Sequence, residues 1–186
     1  FYGCTKVVAF NIGSPNSLSV NSNLTLPTCN GDCDGIATAN PLGGTAPYDY
    51  QWNDINSQIT QNVLNLLADT FIVSVTDEAS CTVYDTVIIN GPPDITISLA
   101  AIDISCFGES DGTLSSSVTG GTPGIGISPY TYLWDGPDLY TSTLDTIYNL
   151  GAGSYIVTIT DNDGCEKIDT ALIIEPLPLT YVTESS

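Results

Sequence analysis

The feature that most constrains this chain is an internal duplication. Cys29-Asn30-Gly31-Asp32-Cys33-Asp34-Gly35 lines up with Cys106-Phe107-Gly108-Glu109-Ser110-Asp111-Gly112 at an offset of 77 residues. Self-similarity at a fixed period marks an array of like units. The match then runs through the whole unit. Gly43-Gly44-Thr45 answers Gly120-Gly121-Thr122, and Pro47-Tyr48-Asp49-Tyr50-Gln51-Trp52 answers Pro129-Tyr130-Thr131-Tyr132-Leu133-Trp134. The insertion Gly124 to Ser128 widens the offset there. Asn65-Leu66 and Phe71 to Asp77 answer Asn149-Leu150 and Tyr155 to Asp161, while Cys81 answers Cys165 and Pro92 answers Pro176.

Both ends of the chain share the pattern. Gly3-Cys4-Thr5 and the apolar run to Ile12 read like Ser80-Cys81-Thr82 and the run to Ile89, so residues 1–15 are expected to be the closing strand of a preceding repeat. Residues 16–93 and 94–177 are two whole repeats, and 178–186 resembles the opening strand of a following one. With Phe at position 1 and no charged-then-apolar leader, the chain reads as a processed or excised segment.

Local signals within each repeat are those of strands. Alternation with period two runs through 18–26, 71–76 and 95–99, and β-branched or aromatic residues fill 155–160 between Gly, Pro, Asn and Asp breaks. No amphipathic helical stretch competes. Short strands in units of about 80 residues predict an all-β fold: two tandem Ig-like antiparallel β-sandwich repeats, closed by disulfides.

Composition narrows the chemistry. Of 186 residues, 21 are acidic and 2 basic, for a net charge of −19, and His, Arg and Met are absent. Ser-His-Asp and Cys-His nucleophiles, His-ligated metals and Arg clamps are therefore excluded. Lys6 and Lys167 cannot form a phosphate-binding surface, which excludes nucleic acid and anionic membrane surfaces. No stretch approaches the ~18 apolar residues of a membrane helix, so membrane insertion is not expected.

Six cysteines without His fit disulfides in an oxidising compartment. In each repeat one Cys precedes an early strand and another opens the last strand. The repeating connectivity expected is Cys29 with Cys81 and Cys106 with Cys165. Cys4 and Cys33 remain and by elimination could bridge each other.

Trp52 and Trp134 stand in matching strands beside Tyr, and are read as the buried centre of each sandwich; the alternative is a sugar-binding platform. Leu150 to Tyr155 reads as a tyrosine corner, whose hydroxyl Phe71 lacks in the first repeat. Asp32 and Asp34, with Asp161 and Asp163, are weak Ca²⁺ candidates: the first pair fits half of a Ca²⁺ loop, but no closing Glu follows Gly35. The other reading makes these carboxylates turn formers. Paired carboxylates for glycoside hydrolysis find no evident cleft. No catalytic residue and no cofactor is expected beyond that possible Ca²⁺.

The series Cys, Asp-Gly, Gly-Gly-Thr, Pro-Tyr-x-Tyr-x-Trp, Asn-Leu-x-Ala-x-x-(Phe/Tyr), Val/Ile-Thr-Asp, Cys and Pro resembles the SprB-type repeat of Bacteroidota cell-surface adhesins. The resemblance covers nearly the whole chain twice. It departs at Cys33, at Phe71 and in the insertion at 124–128. It implies a non-catalytic structural or adhesive repeat of an extracellular, outer-membrane-associated filament, such as those of gliding motility. Partners would be neighbouring repeats, with surface polysaccharide a further candidate. It also suggests O-glycans on the Asp-Thr pairs at Thr86, Thr146 and Thr170. Two alternatives stand beside it: a carbohydrate-binding accessory module of a secreted enzyme, and a subunit of a non-covalent filament built by strand exchange.

Overall fold

The structure, a computed structural model, describes residues 16–126 and 128–180. Among the described residues, strands account for every regular element except a short 3-10 turn, Pro137–Leu139. The closing strand read over 1–15, Cys4, and residues 181–186 lie outside the described residues; Pro178 to Thr180 form no strand.

The chain forms two compact units. Of the described residues, the first takes Cys33–Asn90 together with residues 16–26; the second takes those from Gly91 onward together with the six residues Pro27–Asp32. A short piece of the first sequence repeat thus belongs to the second unit.

In the first unit β1 (Ser19–Thr25), β2 (Gly35–Leu42) and β4 (Asn62–Leu66) form one antiparallel sheet. The other contains β3 (Tyr48–Trp52), β5 (Asp69–Asp77) and β6 (Thr82–Ile89), in the order β3-β5-β6. Alternation decides which face is buried. In β5 Phe71, Val73 and Val75 point inward between exposed or half-buried neighbours, and in β2 Ala37 and Ala39 do the same. Trp52 fills the centre between these rows.

The second unit repeats the plan. One sheet has the order β11-β8-β7, from β7 (Thr96–Ile102), β8 (Gly112–Thr119) and β11 (Thr146–Leu150). The other adds a two-residue strand to its edge, giving β10-β9-β12-β13 from β9 (Thr131–Asp135), β10 (Thr141–Ser142), β12 (Gly153–Thr160) and β13 (Glu166–Ile173). Every strand pairing is antiparallel. Trp134, Leu114, Val157 and Ile159 are fully enclosed in its core. Within the insertion the Gly124 N–H donates to the Pro129 carbonyl at 2.8 Å, and Ile125 lies in solvent.

The repeated glycines have a steric cause. Gly120 has φ +83°, and a Cβ there would collide with the Asp94 carbonyl; Gly43, at φ +72°, would strike the Ser17 carbonyl in the same way. Only glycine accepts both the left-handed backbone and that approach.

Candidate functional site

The residues that recur between repeats gather at the turn joining the last two strands. Asp161, only 7% exposed, directly follows β12 and accepts three backbone hydrogen bonds: Oδ1 takes the N–H of Cys165 (2.9 Å) and of Asp163 (3.0 Å), and Oδ2 takes that of Thr122 (2.8 Å). The Asp161 N–H in turn donates to the Cys165 carbonyl at 3.0 Å. Asp77 repeats the arrangement with the N–H groups of Cys81 (2.8 Å) and Thr45 (2.9 Å). Burial raises the Asp161 pKa, but the amides of Thr122, Cys165, Asp163 and Gly164 outweigh it and hold the carboxyl below its ordinary value. The Cys81 amide does the same for Asp77. These carboxylates shape backbone. They tie the Gly-Gly-Thr loop to the cysteine turn.

Tyr130 and Tyr48 secure the other side of that loop, their hydroxyls donating to the carbonyls of Gly120 and Gly43 at 2.7 Å each. The Tyr155 hydroxyl donates to the Gly151 carbonyl at 3.1 Å, which is the tyrosine corner that Leu150 to Tyr155 predicts. Trp52 and Trp134 are 1% and 0% exposed, with Nε1–H groups donating to the carbonyls of Thr60 (3.0 Å) and Leu144 (2.9 Å). Neither offers a platform to a sugar.

The cysteines depart from the expected pairing. Cys29 is bonded to Cys165, 136 residues away, with a Cα–Cα distance of 5.6 Å. Cys81 and Cys106, expected to pair with Cys29 and Cys165, are exposed free thiols, as is Cys33. The physical reason is the path of Pro27–Asp32: Pro27 is buried and the segment belongs to the second unit, so Cys29 is delivered to the turn at Cys165. The Asn30 side chain reinforces this by donating to the Pro92 carbonyl at 3.0 Å.

A cavity of about 310 Å³ in the second unit lies beside this disulfide, lined among others by Asp32, Asp94, Asp161 and Glu166. Of the four Ca²⁺ candidates it brings together Asp32 and Asp161, whereas Asp34 and Asp163 do not line it. Asp94 is paired with Lys167 at 2.8 Å. Among the described residues no group of three or more Cys, Asp or Glu side chains is placed to hold a metal ion.

Of the glycan candidates, Thr86 and Thr170 occupy equivalent exposed places on the edge strands β6 and β13, each with its N–H on the preceding Asp (2.9 and 2.8 Å); Thr146 is half-buried in β11.

Sequence reading missed Asp54, which is buried and accepts the N–H groups of Asn56 (3.1 Å) and Gln58 (2.8 Å) and the Gln58 amide (3.1 Å). Its role has no counterpart in the second repeat, where the 3-10 turn Pro137–Leu139 and the two-residue strand β10 (Thr141–Ser142) stand instead, so the duplication carried no signal for it.

Two antiparallel sheets around a strand-borne Trp, twice in tandem, define the chain as a repeat protein of Ig-like β-sandwiches. The SprB repeat family model matches residues 21–57 and again 98–139, one stretch in each repeat. No curated protein matches it significantly. Among solved structures it is similar to the full ectodomain (Ig1–Ig3) of mouse nectin-like molecule 4, at 11% identity over 90% of this chain and 67% of that one, with a TM-score of 0.38. It is also similar to extracellular domains 3–5 of Drosophila OTK, at 17% identity, covering 76% of this chain and 56% of that one, with a TM-score of 0.37. Among the described residues no helix is long and apolar enough to cross a membrane.

Proposed function

We propose that the chain is a structural and adhesive module of an extracellular bacterial surface filament, without catalytic activity. The observation that carries this reading is the SprB match in both repeats, on a scaffold whose recurring polar residues serve the fold. Asp77, Asp161, Tyr48, Tyr130 and both tryptophans are occupied by backbone partners in the same way in each copy. Tandem sandwiches joined through a Pro-bearing junction, Asn90 to Asp94, suit a filament built of repeats, and the charge of −19 keeps such filaments apart. The edge-strand threonines Thr86 and Thr170, with Thr146, are the proposed O-glycan carriers, so the native protein has a mass above that of its polypeptide.

Antibodies raised against these two repeats test the reading. On intact cells they label surface filaments in electron micrographs, and on reducing, denaturing gels they detect a chain much longer than 186 residues. Labelling confined to a secreted enzyme would favour the carbohydrate-binding alternative, and a filament subunit of this chain's own size would favour strand exchange.

A further inference from the structure

Two kinds of cysteine turn recur in this chain. The first kind is Cys29–Asp32, closed by the Asp32 N–H on the Cys29 carbonyl at 3.1 Å with Gly31 at φ +83°. Cys106 to Glu109 is built alike, closed at 3.2 Å with Gly108 at φ +87°. The second kind is Asp161 to Cys165, closed by the Asp161 N–H on the Cys165 carbonyl and by the Cys165 N–H on Oδ1 of Asp161. Asp77 to Cys81 is built alike, at 3.0 and 2.8 Å. One turn of each kind is joined by the Cys29–Cys165 bond; the other two carry exposed thiols.

The bonded pair joins an early cysteine of one sequence repeat to the late cysteine of the next. Among the described residues, the same rule leaves Cys106 without a late-type partner turn and Cys81 without an early-type one. We propose that Cys106 and Cys81 are the two halves of a disulfide lacing between repeats, each bonding the complementary turn of another repeat of this kind. A second copy of this chain offers both halves. Cys33 has no part in it, because Ser110 stands at the equivalent place.

Glutathione disulfide is a sufficient oxidant. The Cys106 thiolate attacks one of its sulfurs, forms a mixed disulfide and releases one glutathione thiolate. The Cys81 thiolate of the other copy then attacks the Cys106 sulfur, releasing the second. Two protein thiols are oxidised to one disulfide and glutathione disulfide is reduced to two glutathiones, their protons coming from the thiols consumed. This lacing rests on the reading of the chain as a repeat module and is independent of adhesion; surface labelling can succeed while lacing fails, and the reverse.

The test uses the full chain carrying Cys4→Ser and Cys33→Ser, as a mixture of ordinary and nitrogen-15-labelled protein, oxidised with glutathione disulfide. The expected result is a ladder on non-reducing gels that collapses on reduction. A non-reduced digest then yields the Cys29–Cys165 peptide, which also reports folding, and a Cys81–Cys106 peptide bearing mixed label. Adding Cys106→Ser abolishes every band above monomer while the Cys29–Cys165 peptide persists. Monomer alone, a Cys81–Cys106 bond without mixed label, Cys81–Cys81 and Cys106–Cys106 bonds as abundant as the mixed pair, or loss of the Cys29–Cys165 peptide would each overturn the proposal.

Discussion

Asp161 accepts the backbone N–H of Cys165 at 2.9 Å, four residues along the chain, and so fixes the residue whose sulfur is bonded to Cys29. The same carboxylate reaches the Thr122 N–H from its other oxygen. One side chain therefore aligns the disulfide turn and the Gly-Gly-Thr loop together, and Asp77 does so in the first repeat without a disulfide to help it.

Asp161→Ala leaves the amides of Thr122, Cys165 and Asp163 without their acceptor. A buried donor left unsatisfied costs about 1–3 kcal/mol, so the substitution is expected to destabilise the protein by at least about 2 kcal/mol. Urea unfolding followed by circular dichroism measures it. A change below about 0.5 kcal/mol would show that water replaces the carboxylate freely.

Trp134→Ala removes the largest side chain wholly enclosed in the second unit and also the donor to the Leu144 carbonyl. Truncation of a buried Trp costs ~3–5 kcal/mol, and the same holds for Trp52→Ala in the first unit. Because both rings are enclosed, acrylamide quenches the native protein's tryptophan fluorescence poorly, and added polysaccharide leaves the emission where it was. Strong quenching in the native state would contradict the enclosed positions.

The duplication made the strands, the tryptophan centres and the tyrosine corner legible, because each depends on residues close in sequence and present at matching places. Phe71 to Thr76 alternates, and β5 buries Phe71, Val73 and Val75 as that alternation requires. The cysteine connectivity was not legible for a related reason. A duplication says which cysteines are equivalent, but pairing within a repeat and pairing across repeats leave the same spacing pattern. The path of Pro27–Asp32 decides between them, and no local signal in Pro27-Thr28-Cys29-Asn30 reports which unit it joins. Asp161 and Asp163 read as metal donors for a similar reason: sequence shows oxygen atoms, and only the folded turn shows that backbone amides already occupy those of Asp161.

Tyr155→Phe isolates the corner hydrogen bond, since the ring stays and only the donor to Gly151 is lost. The expected cost is about 1 kcal/mol. Phe71 holds the equivalent place in the first repeat without a hydroxyl, which shows that a sandwich of this kind forms without that bond. Unfolding midpoints of wild type and variant, measured in parallel, give the difference; an effect of several kcal/mol would mean the ring itself had moved.

Gly120→Ala and Gly31→Ala separate backbone strain from collision. Both glycines have φ +83°, where an L side chain costs roughly 1–2 kcal/mol. At Gly31 an added Cβ meets nothing within 4 Å, so that cost is the whole effect. At Gly120 the Cβ also meets the Asp94 carbonyl, and the backbone of one of the two segments must shift. Gly120→Ala is therefore expected to be the more destabilising of the two by a clear margin in thermal unfolding, and equal effects would place Asp94 farther from the loop than the structure has it.

Acid should weaken the fold through Asp77 and Asp161. Both carboxyls are held below their ordinary pKa of 3.8: Asp77 chiefly by the Cys81 amide, and Asp161 by backbone amides that overcome the opposing effect of burial. A group whose folded pKa is lower than its unfolded one contributes stability that is complete above the unfolded value and is lost as pH falls through the folded value. The contribution is thus intact at about pH 6 and is progressively withdrawn as the pH falls below about 4. Protonation of the other carboxylates acts in the opposite sense over the same range, by relieving repulsion in a chain of net charge −19. That relief is common to wild type and to Asp161→Asn, which lacks the titrating group but keeps its shape. The difference between their unfolding midpoints is therefore the informative quantity: it is expected to shrink steadily from about pH 5 to about pH 2, and a difference that stays constant would remove Asp161 from the acid response.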